Sequence, residues 1–133
     1  MKINHDIQLS DGKLKHFLNI NNLPKYIIED IINRAEEFHD NSKIIKYTGK
    51  VVASLFFEPS TRTKTTFELA TKKISSDFIN IDIANSSTSK GESIIDMIKT
   101  IEAMKCNMFV VRHSVPGTCL LYTSDAADEI TGV

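Results

Sequence analysis

The sequence predicts an α/β domain, a parallel sheet with flanking helices in the order βαβαβ. Two observations carry this. VVASLFF (51–57) is short, almost wholly apolar and rich in β-branched and aromatic residues, as in a strand covered on both faces. FINIDI (78–83) and NMFVVRH (107–113) are further strand-like runs, and helical patterns separate the three. Connections of that length return the chain in the same direction, so the strands run parallel.

The elements follow in chain order. Residues 1–21 are weakly patterned. NLPKYIIEDIINRAEEFHD (22–40) predicts an amphipathic helix with Asn22 as its cap and Pro24 in its first turn. Ile27, Ile28, Ile31, Ala35 and Phe38 follow helical spacing, and Arg34 is a surface charge pairing with Asp30. Thr48-Gly49-Lys50 turns into the first strand, and EPSTRT (58–63) ends it. KTTFELATKKI (64–74) is helical, with Phe67, Ala70 and Ile74 on one stripe. The second strand leads into a polar loop, ANSSTSKGE (84–92). SIIDMIKTIEAMK (93–105) is a helix with Ile94, Ile95, Ile98 and Ile101 inward. The third strand ends in a loop carrying Pro116 and Gly117.

Composition excludes several function classes. The 133 residues carry 16 Lys+Arg against 17 Asp+Glu, a net charge of −1, which argues against general nucleic-acid or anionic-membrane binding. No apolar run approaches the ~18–20 residues of a membrane span. MKINHDIQLSDGK lacks the apolar core of a signal peptide. Cys106 and Cys119 fit neither a disulfide framework nor a zinc site, so a cytoplasmic protein with reduced thiols and no metal is expected. Of the basic residues only Arg34, Arg62 and Arg112 are arginine. In so lysine-rich a chain, arginine is expected where a planar fork is needed.

In parallel sheets, ligands bind beyond the carboxyl ends of the strands. Three polar segments fall there: 58–63, 84–92 and 112–118. Ser60-Thr61-Arg62-Thr63 packs three hydroxyls and a guanidinium at a helix start, where free N–H groups and the helix dipole favour an anion. A plain helix cap needs one hydroxyl and leaves the arginine unexplained. Lys90-Gly91-Glu92 ends a serine-rich loop containing Ser86 and Ser87. Taken alone that is a polar loop with a helix cap, but a lysine-tipped loop can also act as a lid over an anion. Arg112 and His113 close the last strand. His113 fits a structural role as well as acid/base work. His5, His16 and His39 fit the surface, and Glu58 and Glu92 serve to orient the cations.

Together these residues resemble a known family. Phe56-Phe57-Glu58-Pro59-Ser60-Thr61-Arg62-Thr63-Lys64 is similar to the carbamoyl-phosphate motif of the aspartate/ornithine carbamoyltransferases. Ser86-Ser87-Thr88-Ser89-Lys90-Gly91-Glu92-Ser93 resembles the mobile loop of the aspartate branch, and Val110-Val111-Arg112-His113 resembles the strand end that follows. Arg34-Ala35-Glu36-Glu37-Phe38 is similar too, and the resemblance covers roughly residues 10–117. It implies carbamoyl transfer from carbamoyl phosphate to the amine of L-aspartate, in pyrimidine synthesis, without metal or organic cofactor. By resemblance, Ser60, Thr61, Arg62, Thr63 and Arg112 bind carbamoyl phosphate, and Arg62, Thr63 and Arg112 act in catalysis. Lys90, with Ser86 or Ser87, completes the site from the adjacent subunit of a homotrimer, to which regulatory chains attach in some members.

The family's two-domain chains run to more than twice this length. Residues 1–118 are therefore expected to be an incomplete carbamoyl-phosphate-binding domain, the front half of that fold, without the aspartate-binding domain and inactive alone. CLLYTSDAADEITGV (119–133) does not resemble the family, and YTSDAADE reads as a translated sequencing adaptor. The alternatives are an ornithine carbamoyltransferase, against which the Lys90 loop speaks, and a non-enzymatic anion-binding module.

Overall fold

The computed structural model describes residues 8–40, 44–83 and 94–115. The chain divides into two compact units, residues 1–44 and 45–133.

Among its described residues the first unit contains a two-stranded antiparallel hairpin, β1 (Leu9–Ser10) and β2 (Lys13–Leu14). Its turn is Asp11-Gly12, with φ of 51° and 74°. Two successive positive φ values match the twist of a tight hairpin, and Asp-Gly is a favoured pair for it. The weak patterning of residues 1–21 predicts no element here, although Asp-Gly is an available hairpin signal. Fully buried Gln8 fastens the segment that follows. Its Oε1 accepts the N–H groups of Leu18 (2.9 Å) and Asn19 (3.2 Å), and its carbonyl accepts those of Lys15 and His16. His16 is therefore not a surface histidine. It is half-buried, and burial, with Lys15 adding repulsion, holds its pKa below the ordinary value.

Helix α1 (Lys25–His39) begins later than expected. Pro24 takes the N-cap position without a side-chain cap, and Asn22 donates its N–H to Asn19 Oδ1 (3.4 Å) instead of capping. Arg34 Nε pairs with Asp30 Oδ2 at 3.1 Å on the exposed face, as the spacing predicted. Of the apolar stripe only Ile27 is buried, and Ile31, Ala35 and Phe38 are exposed.

The second unit is a three-stranded parallel sheet of β3 (Val51–Phe56), β4 (Asp77–Ile81) and β5 (Met108–Arg112), with β3 in the centre. Helix α2 (Thr61–Lys73) connects β3 to β4, and α3 (Ile94–Ala103) lies between β4 and β5. Leu55 stands beside Ile81 on one neighbour and Val111 on the other. Met97 and Ile98 of α3 bury Leu55 completely, with Ile81, Ile94, Ile101, Phe109 and Val111 packed around them. On the opposite face Val52 and Ser54 are also buried, so β3 is covered on both sides. Ser54 satisfies its hydroxyl by donating to Asn80 Oδ1 at 2.9 Å on β4.

The buried residue of α2 is Thr71, not the expected stripe. Phe67 and Ala70 are exposed and Ile74 is half-buried. Thr71 enters the interior because its hydroxyl donates to the Phe67 carbonyl one turn back (2.7 Å), leaving its methyl to pack.

Both helices end in the same motif. Ser76 N–H donates to Thr71 O while Ser75 N–H donates to Lys72 O, and Cys106 and Lys105 repeat this with Ile101 and Glu102. These are Schellman closures, which place Ser75 (φ 61°) and Lys105 (φ 74°) in a region that favours glycine. Lys105→Gly should therefore stabilise the fold by about 0.5–1 kcal/mol, read as a higher urea midpoint at unchanged slope.

Cys106 is buried, its thiol donating toward Met108 O (3.3 Å), and burial pushes its pKa up. It is an unreactive packing thiol. Among the described residues no helix is long and apolar enough to cross a membrane.

Candidate functional site

The topology singles out one corner of the sheet. From central β3 the chain leaves toward β4 on one side, and β5 is added on the other. The crevice beyond the carboxyl ends of β3 and β5 is thus the switch point where open α/β sheets take ligands. The two ends are level: Phe56 lies opposite Arg112, and Phe57 N–H donates to the Arg112 carbonyl at 2.8 Å.

Local sequence builds the corner. Pro59 disfavours helical backbone at Glu58 and cannot donate, and the chain bends at Phe57 and Glu58 before it turns helical. Ser60 then takes the N-cap position and α2 starts at Thr61. The expected helix start at Lys64 is thus corrected by one turn, which puts Thr61, Arg62 and Thr63 inside the first turn rather than in the loop before it. Their N–H groups have no partner within the helix, by the geometry of any helix start. Ser60 does not fill that role, since its side chain makes no capping hydrogen bond.

Arg112 explains why. It reaches across from the end of β5 and binds three groups of the β3–α2 connection. Its Nε donates to Glu58 Oε1 at 2.7 Å, and its Nη1 donates to Ser60 Oγ at 2.8 Å and to Thr63 Oγ1 at 3.1 Å. The Glu58–Arg112 ion pair remains 36% and 43% exposed, so its main effect is orientation rather than stability. Glu58 does orient a cation, as the sequence suggested. Arg62 stands in the same turn as Thr63, exposed, and among the described residues no hydrogen bond or ion pair engages its guanidinium. Behind them, the rings of Phe57 and His113 pack at 4.8 Å between centroids, and His113 Nδ1 accepts the Val115 N–H at 3.0 Å. That gives His113 a structural occupation.

Ser60, Thr61, Arg62, Thr63 and Arg112 are therefore brought to one corner. Ser86, Ser87, Lys90 and Glu92 lie outside the described residues, as do His5 and Cys119. What sequence alone did not show is the hub role of Arg112, because three partners spread over 52, 49 and 54 positions leave no local pattern. The arrangement presents hydrogen-bond donors and positive charge at a helix start, which suits an oxyanion.

Comparison with known proteins agrees with this geometry. Residues 15–129 match the family described as aspartate/ornithine carbamoyltransferase, carbamoyl-P binding domain. That range takes in the first part of the 119–133 stretch which the sequence sets apart. The catalytic subunit of aspartate transcarbamoylase from M. jannaschii is 33% identical, with a TM-score of 0.71 over 84% of this chain and 38% of that one. Aspartate transcarbamoylase from Trypanosoma cruzi, solved with aspartate and phosphate, is 25% identical, with a TM-score of 0.61 over 74% of this chain and 32% of that one. The chain thus spans about a third of the length of each of these proteins. With most of its length matched and its switch-point corner built from the matched residues, the chain belongs to the aspartate/ornithine carbamoyltransferase family, through that family's carbamoyl-phosphate-binding domain.

Proposed function

We propose that this chain supplies the carbamoyl-phosphate side of an aspartate carbamoyltransferase. The observation that carries the proposal is the three-way grip of Arg112 on Glu58, Ser60 and Thr63, which sets a ready-made oxyanion cradle at the start of α2. Residues 1–118 form the binding domain, and the aspartate side of the reaction comes from a second domain.

In the reaction the α-amine of L-aspartate attacks the carbonyl carbon of carbamoyl phosphate. Negative charge grows on the carbonyl oxygen and then on the departing phosphate. Ser60, Thr61, Arg62 and Thr63 hold the phosphate through side-chain and first-turn backbone donors. Arg62 neutralises the leaving phosphate, and Thr63 with Arg112 steadies the carbonyl oxygen. Catalysis is then positioning and charge stabilisation, without metal or organic cofactor. Lys90, with Ser86 or Ser87, closes the site from the neighbouring chain of a homotrimer in the cytoplasm. The M. jannaschii and T. cruzi neighbours support the aspartate branch.

A colorimetric ureido assay run in parallel with L-aspartate and L-ornithine tests the branch. Product with aspartate alone, from this chain assembled with its second domain, is the expected outcome. Product with ornithine alone contradicts it.

A further inference from the structure

Two polar side-chain atoms of the first unit are enclosed without a hydrogen-bond partner among the described residues, Gln8 Nε2 and His16 Nε2. Gln8 is fully buried, and its amide cannot be turned over, because Oε1 already accepts the N–H groups of Leu18 and Asn19. Its Nε2 is therefore an enclosed donor with no acceptor. His16 is joined to the same residue, its N–H donating to the Gln8 carbonyl at 3.1 Å beside that of Lys15 at 2.7 Å. Residues 15–19 thus hang on Gln8 through the N–H groups of Lys15, His16, Leu18 and Asn19, and the imidazole among them turns one nitrogen inward.

The two charge states of His16 differ at that nitrogen. A neutral imidazole can carry its hydrogen on Nδ1 and leave Nε2 as an acceptor, the complement of the enclosed amide donor. An imidazolium has a hydrogen on both nitrogens and accepts nothing. Protonation therefore adds a donor and a charge to an interior that already encloses an unmatched donor, and exposure to water relieves both. We propose that His16 is a proton-operated latch: neutral, it leaves residues 15–19 fastened to Gln8, and on taking a proton it releases them and frees the lead into α1. The latch goes beyond the anion corner and does not depend on it. Gln8 and the hairpin turn also lie ahead of residues 15–129, which match the family's domain.

Among the described residues no carboxylate offsets the proton. Burial disfavours the charged ring, and Lys15 beside it in the chain adds repulsion. Asp11 and Lys13 of the hairpin and Lys25, Glu29 and Asp30 of α1 do not act on it. His5 and Asp6, ahead of Gln8, lie outside the described residues. The fastened form therefore takes the proton less readily than the released one, whose imidazole has the ordinary value of about 6.5. Fastening is at full strength above about pH 6.5, weakens as pH falls through that value, and levels off once the fastened form is protonated too.

The test is amide hydrogen exchange of the whole 133-residue chain, read by NMR between about pH 5 and pH 8, with titration of the His16 ring in the same samples. Protection factors, which divide out the intrinsic pH dependence of exchange, should hold level for Leu18 and Asn19 above about pH 7. Below about pH 6.5 they should fall by up to about tenfold per pH unit. The N–H groups of β3 should not follow. His16→Gln cannot take the proton, so in that variant Leu18 and Asn19 should lose the slope. The His16 ring itself should titrate below about 6.5. A slope that is absent from the unaltered chain, that β3 shares, or that His16→Gln retains overturns the latch. A ring midpoint at or above about 6.5 overturns it whether or not the variant folds.

Discussion

Arg62→Ala, in the chain assembled with its second domain, is expected to lower the proposed carbamoyl transfer by about two to three orders of magnitude, the scale on which enzymes respond to loss of a donor at a developing charge. Binding of carbamoyl phosphate should weaken about tenfold to hundredfold, as for loss of a charge-assisted hydrogen bond. Stability should stay within about 0.5 kcal/mol, because Arg62 is an exposed side chain that makes no hydrogen bond or ion pair among the described residues. That separation distinguishes Arg62 from Arg112. Removing Arg112 also releases Glu58, Ser60 and Thr63, and so should loosen the corner as well as empty it. Turnover of Arg62→Ala within a few-fold of the unaltered protein would remove Arg62 from the reaction.

The second large effect is on the fold. Leu55 is completely buried in the central strand β3, against Met97 and Ile98 of α3. Leu55→Ala should cost about 3–5 kcal/mol, the transfer energy of the lost carbons plus the cavity they leave. That is a large fraction of the stability of a small domain. Leu69→Ala, at a position 56% exposed, should cost no more than about 0.5 kcal/mol. Urea melts of the two variants side by side read the difference. Equal losses would mean that the sheet and α3 are not packed as described.

The sheet was legible because its strands carry their burial in their composition. Val52, Ala53 and Leu55 are apolar on both faces, and only a covered central strand asks for that. Helix α3 was legible for the same reason, with Ile94, Ile98 and Ile101 on one stripe. Other elements were not. Thr71 is buried because its hydroxyl finds a backbone carbonyl, a contact that hydrophobic patterning does not count. The hairpin at Asp11-Gly12 has strands of two residues each, too short to show alternation.

The candidate site was half legible. Ser60, Thr61, Arg62 and Thr63 are contiguous, and their clustering at a strand end is visible in one line of sequence. Arg112 stands out in the sequence as a rare arginine at a strand terminus and through the family resemblance of Val110-Val111-Arg112-His113, but neither signal names its partners. Its role depends on β5 pairing in register with β3, which brings together residues about fifty positions apart. The early start of α2 at Thr61 was missed because Pro59 permits it without announcing it. In consequence the motif residues form the first helical turn, where their backbone N–H groups have no partner within the helix.

The central claim is that the corner between β3 and β5 holds carbamoyl phosphate. Titration calorimetry of the chain with carbamoyl phosphate tests it most directly, repeated with inorganic phosphate as competitor and on the Arg62→Ala, Arg112→Ala double variant. The account predicts one site per chain, displaced by phosphate and lost in the double variant. Binding that the double variant retains in full, or no binding at millimolar ligand, would contradict it.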